Sequence, residues 1–455
     1  MSSQSEPKRP FPQPATGHTK SFWRTSLHPL DSHRETPDLP SETDILIVGG
    51  GYAGASAAYH LFPENQTPNP PRVVLLEARE LCSGATGRNG GHLRPDLYSI
   101  TAQYIERYGL EAAVEVVRFE ISHMKEIADL VAKEGIDCDL TFSKSFDIYL
   151  DAAELQKKKE FVDYLRNQNL DFMDDVKYLS ETEAQEIAHV RGAKGGFSFP
   201  AGHLWPYKLI TQLIAIAVSR GLNLQTHTVV SEIGQTRTAE GFWPVTTSRG
   251  TIHARKIILA TNAFTASVAP EYSKAIIPAK GLCTQIVASP GAPYRHLPET
   301  YAIRHGPGAY IYQISRNDGS IIVGGASWTF KNDLEQWYNN TDDGTLIDKV
   351  ETYFDGYMQR TFFGWEDSGA EVKHIWTGVM GYSADSLPHV GEVPNKPGQF
   401  LAAGFNGHGM PVVFLSGRAV AKMALDSVSF GETGLPKLFE TSRARLDPVY
   451  DDILG

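Results

Sequence analysis

Three glycines and one acid carry the first recognisable chemistry of this chain. Gly49-x-Gly51-x-x-Gly54 follows the apolar run Ile45 to Val48, and a small-residue stretch suited to a helix comes next. A second apolar run, Val73 to Leu76, then ends on Glu77, 23 residues beyond Gly54. Glycines so placed let backbone approach a pyrophosphate, and the helix start offers N–H groups and the positive end of a dipole. An acid at the end of the second strand can accept hydrogen bonds from ribose hydroxyls. Gly49, Gly51, Tyr52, Ala53, Gly54 and Glu77 are therefore the expected dinucleotide contacts. Alone, the glycine triplet would be an ordinary tight turn; its place between strand and helix gives it meaning.

Three further segments point to the same ligand. Ser83 to Gly91 holds four glycines in nine residues, with Ser83, Thr86, Arg88 and Asn89 able to donate hydrogen bonds and Gly90 allowing close approach. The buried-strand pattern Lys256 to Ala260 runs into Thr261 and Asn262, where small residues let the chain turn beside a dinucleotide. Val229, in the strand-like segment Asn223 to Ile233, is counted with them. Finally, Gly404-Phe405-Asn406-Gly407-His408-Gly409-Met410 follows the strand-like Gln399 to Ala403 and opens a helix near Met410. Such an end favours negative charge, as at the pyrimidine edge of a reduced flavin. A nicotinamide enzyme has no use for a second glycine helix start so far along the chain, so FAD is the expected cofactor. Asp385 and Pro388 lie in a loop expected to close over the ring.

The residues that could act on a substrate are His408, in the loop expected to touch the flavin, and Tyr310 and Tyr312, on an aromatic sheet. His92, Arg94, His203 and Trp205 are weaker candidates. Hydride removal from a neutral amine needs no strong acid or base; orientation in a dry aromatic pocket is enough.

The elements that must position these groups follow from the pattern. Residues 1–40 contain seven prolines and read as an irregular arm, with Phe22 and Trp23 lying against the first domain. Ser99 to Gly135 has helical periodicity, and Leu140 to Leu150 reads as a strand. Pro206 opens a helix closed by Gly221, and Lys157 to Lys159 reads as a solvated helix face. Alternation between about 275 and 370, with a turn at Asn317-Asp318-Gly319, reads as antiparallel sheet. The formal charge of −11 and a pI near 5.8 argue against a nucleic-acid partner. Three scattered cysteines suggest neither a disulfide framework nor a metal cage. With no apolar run long enough to cross a bilayer and no apolar signal core, the cytosol is the expected compartment.

DILIVGGGYAGASAAYHL, SGATGRNGGH, ILATNAF, GYSADSLPHVGEV and LAAGFNGHGM together resemble the D-amino acid oxidase and sarcosine oxidase family of FAD enzymes over most of 42–425. GRNGG and the stretch Pro278 to Val287 look most like the gamma-glutamylputrescine oxidase branch. The resemblance implies an α/β plus α+β, two-domain flavoprotein. Its Rossmann-like FAD domain would comprise 41–100, 200–270 and 371–455, and its antiparallel-sheet substrate domain 101–199 and 271–370. It also implies oxidation of the C–N bond of an amine or amino acid by hydride transfer to flavin N5, with oxygen or another acceptor taking the electrons.

Three positions depart from the family pattern. Gly378 stands where one branch links flavin through cysteine, and Cys283 lies elsewhere, so the FAD is expected to be non-covalent. Pro411 replaces a carboxylate-binding lysine, leaving Arg88, Arg94 or Arg304 to supply that charge. Ile322 falls near an oxygen-activating lysine, which keeps open a dehydrogenase or a tailoring enzyme for a specialised metabolite. A non-catalytic nucleotide-binding protein fits the full set of motifs less well.

Overall fold

The structure, a computed structural model, describes residues 14, 15, 17–64 and 69–454; most of the first third of the expected arm lies outside them. Two mixed sheets organise the chain. In the first, Gln399–Ala403, Gly250–Leu259, Glu42–Val48, Val73–Leu76 and Asn223–Gln225 lie side by side in parallel. His389–Glu392 closes one edge antiparallel, and the hairpin Val230–Ile233 with Trp243–Thr247 extends Gly250–Leu259. Parallel strands covered on both faces read as unbroken apolar runs, as Ile45 to Val48 and Val73 to Leu76 do; all eight residues are buried. The strand expected from Lys256 starts six residues earlier, at Gly250, because its polar first half pairs with Trp243–Thr247.

The helix Tyr52–Leu61 packs on this sheet with every residue but His60 buried. It packs that closely because Gly54 has no side chain: a Cβ there would stand 1.9 Å from the Gly49 carbonyl oxygen. Gly49 itself has φ +111 and a virtual Cβ 2.5 Å from the Ala260 oxygen, so glycine is required on both counts.

The second sheet runs Glu371–Ser383, Ile276–Val287, Ile321–Gly325, Ala309–Ser315, Thr300–Gly306, Thr141–Tyr149, Gly195–His203 and His92–Leu93. It departs from the expected antiparallel sheet at one joint, where Thr300–Gly306 pairs parallel to Thr141–Tyr149. It also takes in Glu371–Ser383, the longest partner of Ile276–Val287, although 371 onward was expected with the FAD-binding segments. The hairpin at 317–319 and the strand Gln399–Ala403 stand where the sequence pattern puts them.

The arm lies across both sheets. Trp23 is buried, and the Arg24–Asp31 ion pair (2.9 Å) also receives the Tyr207 hydroxyl at 2.7 Å. Thr19 hydrogen-bonds Asp343 and, on the strand Glu371–Ser383, Thr377. Arg79, just past Glu77, holds Asp343 through two contacts of 2.9 Å.

Gly54→Ala is expected to destabilise the flavin-free protein by about 1–3 kcal/mol, the range for overpacking. Thermal unfolding of the apoprotein measures it, and an unchanged midpoint would show that the helix can back away from Gly49.

Candidate active site

A cavity of about 580 Å³ opens where the ends of the parallel strands meet the second sheet, a size typical of ligand sites. Gly49, Gly51, Tyr52, Ala53, Glu77, Thr86, Asn89, Gly90, Val229, Thr261 and Asn262 all border it, as do Gly407, His408, Gly409 and Met410. The glycine turn, the acid and the distant C-terminal loop therefore face one space.

Glu77 is fixed before any ligand arrives. Its carboxylate accepts the Gly50 amide at 2.7 Å and the Arg79 amide at 2.9 Å. Burial still holds its pKa above the ordinary carboxylate value, those two amides opposing. Thr86 Oγ1 accepts the Tyr52 amide at 2.9 Å, so one helix-start N–H is already satisfied. Asn89 staples two loops: Oδ1 accepts the Gly91 amide at 2.7 Å and Nδ2 donates to the Thr86 oxygen at 3.0 Å, with Met410 Sδ at 3.5 Å. Asn262, in the left-handed region, accepts the Gly404 amide at 3.0 Å and so ties the central turn to the C-terminal loop. Gly90 makes room for Tyr312, whose ring lies 2.7 Å from a virtual Cβ there.

Several expected contacts sit elsewhere. Arg88 turns its side chain into the interior: Nε donates to the Ser83 oxygen at 2.7 Å and Nη1 to the Thr377 oxygen at 2.6 Å. Burial lowers its pKa to about 10, Asp343 opposing. It therefore knits the two sheets together and spends its charge there, although the residue borders the cavity. The Ser83 hydroxyl is buried, has no hydrogen-bond partner among the described residues, and is away from the cavity wall. Gly54 acts in helix packing, while Gly404 and Asn406 shape the C-terminal loop behind the wall, Asn406 Oδ1 accepting the Ser383 amide at 2.7 Å. The final helix starts at Val413 rather than near Met410, because Gly409 to Val412 forms a turn first. Asp385 does not reach the cavity; Arg445 grips it at 2.7 and 3.0 Å. His203 and Trp205 line a separate small pocket beside Arg316, where Trp205 anchors the arm through the Trp23 oxygen at 2.7 Å.

The substrate side is built by the second sheet. Tyr312 lies inside, its hydroxyl 3.4 Å from Cys283 Sγ and its ring edge-on to His92 at 5.5 Å. Burial pushes the Cys283 thiol up to about 12, Tyr312 opposing. Cys283 is thus a wall residue of this cavity, although it does not stand at the Gly378 position of the cysteine linkage. His92 Nε2 lies 3.1 Å from the Gln313 oxygen, and burial lowers its pKa to about 3, so it is a neutral support. Tyr310 stands at the mouth, 40 % exposed, with Arg304 over its ring.

His408 Nε2 lies 2.8 Å from Glu120 Oε2. Burial works against the charged ring, but the Glu120 carboxylate beside it, with Asp96 behind, more than offsets that and raises the pKa above the ordinary histidine value; Arg94 opposes. Sequence reasoning missed Glu120. Its signal was a lone acid among Val116, Val117 and Phe119 on the inward face of the helix Leu110–Glu134.

The residues present fit a flavin dinucleotide: a glycine turn without Cβ atoms, a preset acid, and a second loop closing the far end. A family model described as FAD dependent oxidoreductase matches residues 44–423. Gamma-glutamylputrescine oxidoreductase of Escherichia coli (strain K12) is 26% identical over 420 residues, covering 90% of this chain and 89% of the relative. Glycine oxidase of Geobacillus kaustophilus (strain HTA426) is 24% identical over 391 residues, covering 84% and 92%. Among solved structures, glycine oxidase from Geobacillus kaustophilus superposes with a TM-score of 0.69 at 21% identity, over 89% of this chain and 99% of that one. L-Proline dehydrogenase from P. horikoshii gives 0.67 at 19% identity, over 86% and 95%.

Gly51→Val should purify colourless with an unaltered far-ultraviolet circular dichroism spectrum, since the new side chain enters the space between the first helix and Thr86. A yellow protein would refute the cradle.

Proposed function

The chain belongs to the FAD-dependent oxidoreductase family, and we propose that it oxidises the C–N bond of an amine or amino acid, using Gly51, Glu77 and the Gly407–Met410 loop to hold FAD. The observation that carries this reading is the convergence of the first glycine turn and the far C-terminal loop on one cavity walled by Tyr312, Tyr310 and His408. FAD held there by Gly51, Glu77 and the Gly407–Met410 loop would supply a two-electron acceptor for a hydride from the carbon next to nitrogen, leaving an imine for water to hydrolyse.

The chain's own part is orientation and proton handling. An amine arrives from water as an ammonium ion and must give up a proton before its C–H bond can release hydride. His408 is the group suited to take it, and the Glu120 carboxylate raises its affinity for protons. Tyr312 and His92, both half-buried and neutral, keep the reacting end dry. Non-covalent attachment of FAD is the reading we favour. Gly378 has no room for a side chain, its virtual Cβ lying 2.9 Å from Arg88 Cβ, and the Cys283 thiol is protonated.

A second reading concerns the electron acceptor. Ile322, where the resemblance puts an oxygen-activating lysine, is fully buried among apolar side chains, and Lys280 on the adjoining strand donates to Thr345 at 2.8 Å instead. That favours a dehydrogenase over a fast oxidase. We place the protein in the cytosol, where its three buried thiols would stay reduced; among the described residues no helix is long and apolar enough to cross a membrane.

Anaerobic mixing with a panel of amines and amino acids is the direct test: one class should bleach the yellow band, and admitting air then separates oxidase from dehydrogenase. Bleaching by none would remove the C–N reading. His408→Ala should keep its FAD and lose turnover; an unchanged reduction rate would make His408 structural.

With an active substrate, the limiting reduction rate should rise with pH through a pKa above the ordinary histidine value. Glu120→Gln removes the negative charge that raises it, so the profile should move to lower pH. A profile that stays put would take His408 out of the proton path.

A further inference from the structure

The loop that follows Glu77 has little structure of its own: between Arg79 and Asn89 its regular part is the single turn Ala85–Arg88. It is held from outside, by the arm that precedes the first strand. Arg79 donates to the Ala15 oxygen at 3.3 Å, and His18 Nε2 lies 3.3 Å from Glu80 Oε2. Arg24 donates to the Leu81 oxygen at 2.6 Å. The Ser21 hydroxyl donates to the Gly87 oxygen at 2.7 Å, and Arg88 Nη2 donates to the Thr19 oxygen at 2.7 Å. Trp23 Nε1 donates to the Asn89 oxygen at 2.6 Å. The arm therefore runs along the outer side of this loop for its whole length.

The inner side of the same loop is cavity wall, through Gly84, Ala85, Thr86, Asn89 and Gly90. Left free, such a loop would have to be ordered at the expense of binding energy; the arm has already ordered it. Pro14 goes further and borders the cavity itself, as Glu77 and Arg79 do. With its fixed φ and no N–H, a proline there offers an apolar face and leaves no donor unpaired. The arm is also fastened on its far side. The Thr19 amide donates to the Asp343 oxygen at 2.8 Å, and the Arg316 guanidinium lies 4.7 Å from the centre of the Phe22 ring.

We infer that Pro14 and residues 17–24 belong to the cofactor site as a strap: they brace the loop from outside, cover the Glu77 end of the cavity and slow the departure of FAD. This rests on the FAD reading above and adds a cofactor-retaining role for the arm. Coupling between two binding events is reciprocal, so FAD holds the arm as firmly as the arm holds FAD.

The reciprocal effect is measured on the unaltered protein. Lys20 is exposed and Arg24 is buried, so trypsin cuts after Lys20 whenever the arm lifts, at a rate that follows the open population. The fragment that begins at Ser21 should form at least about five-fold more slowly from holoprotein than from apoprotein, the equivalent of one hydrogen bond. Ser21→Ala removes the clasp on Gly87 and should speed FAD release by about the same factor, read as the rise of free-flavin fluorescence after dilution. Deleting residues 2–17 removes Pro14 and the Ala15 contact and should speed it too, with the far-ultraviolet circular dichroism spectrum unaltered.

Release at the wild-type rate from both variants, or a fragment that forms equally fast with and without FAD, overturns the strap. A wild-type protein that takes up no FAD overturns the cofactor reading and the strap with it, and so is told apart from failure of the strap alone.

Discussion

How closely the helix Tyr52–Leu61 can be approached from both sides governs the rest of the molecule. Toward the sheet, the missing side chain of Gly54 lets it rest on the Gly49 carbonyl. On its other side Gly417, in the helix Val413–Asp426, stands where a Cβ would lie 2.5 Å from Ser56 Cβ, and the Ser56 hydroxyl donates to the Phe414 oxygen at 2.6 Å. Backbones packed this tightly collect many weak dispersion contacts at once and leave little freedom to slide. Turns more than 350 residues apart, at Gly51 and Gly407, are thereby held against one cavity.

The second sheet is tied to this frame by buried charges as well as by shared apolar packing. Asp343 receives Arg79 from the end of the second parallel strand, while Arg88 reaches across to Thr19 and Thr377. Such buried ion pairs add little net stability but are costly to break singly. Their use here is positional: they fix the distance between the glycine turn and the aromatic wall, and so the width of the space between them.

The sequence made the first crossover legible because glycine spacing, strand pattern and acid all depend on local backbone demands. The helix at Pro206 and the hairpin at 317–319 were readable for the same reason. What escaped was whatever depends on side-chain direction. Arg88 sits in a motif that faces the cavity, yet its guanidinium turns inward because Asp343, far along the chain, is there to meet it. Cys283 looked remote in sequence, but antiparallel pairing with Ile321–Gly325 sets it beside Tyr312. Glu120 lies on a helix that reads as core, and only the arrival of His408 from the other end of the chain gives it a partner. His203 and Trp205 had suitable chemistry, but the arm had already claimed them.

The strand Gly250–Leu259 lies between Glu42–Val48 on one side and Gln399–Ala403 on the other. During synthesis the first of those pairings can form while the ribosome is still at work on the middle of the chain, but the second must wait for residue 403, and the His408 turn follows later still. Domains fold as units, so the nucleotide cradle stays open at its C-terminal side until the last strands and the His408 turn have emerged. Its capacity to take up cofactor is therefore acquired late and all at once.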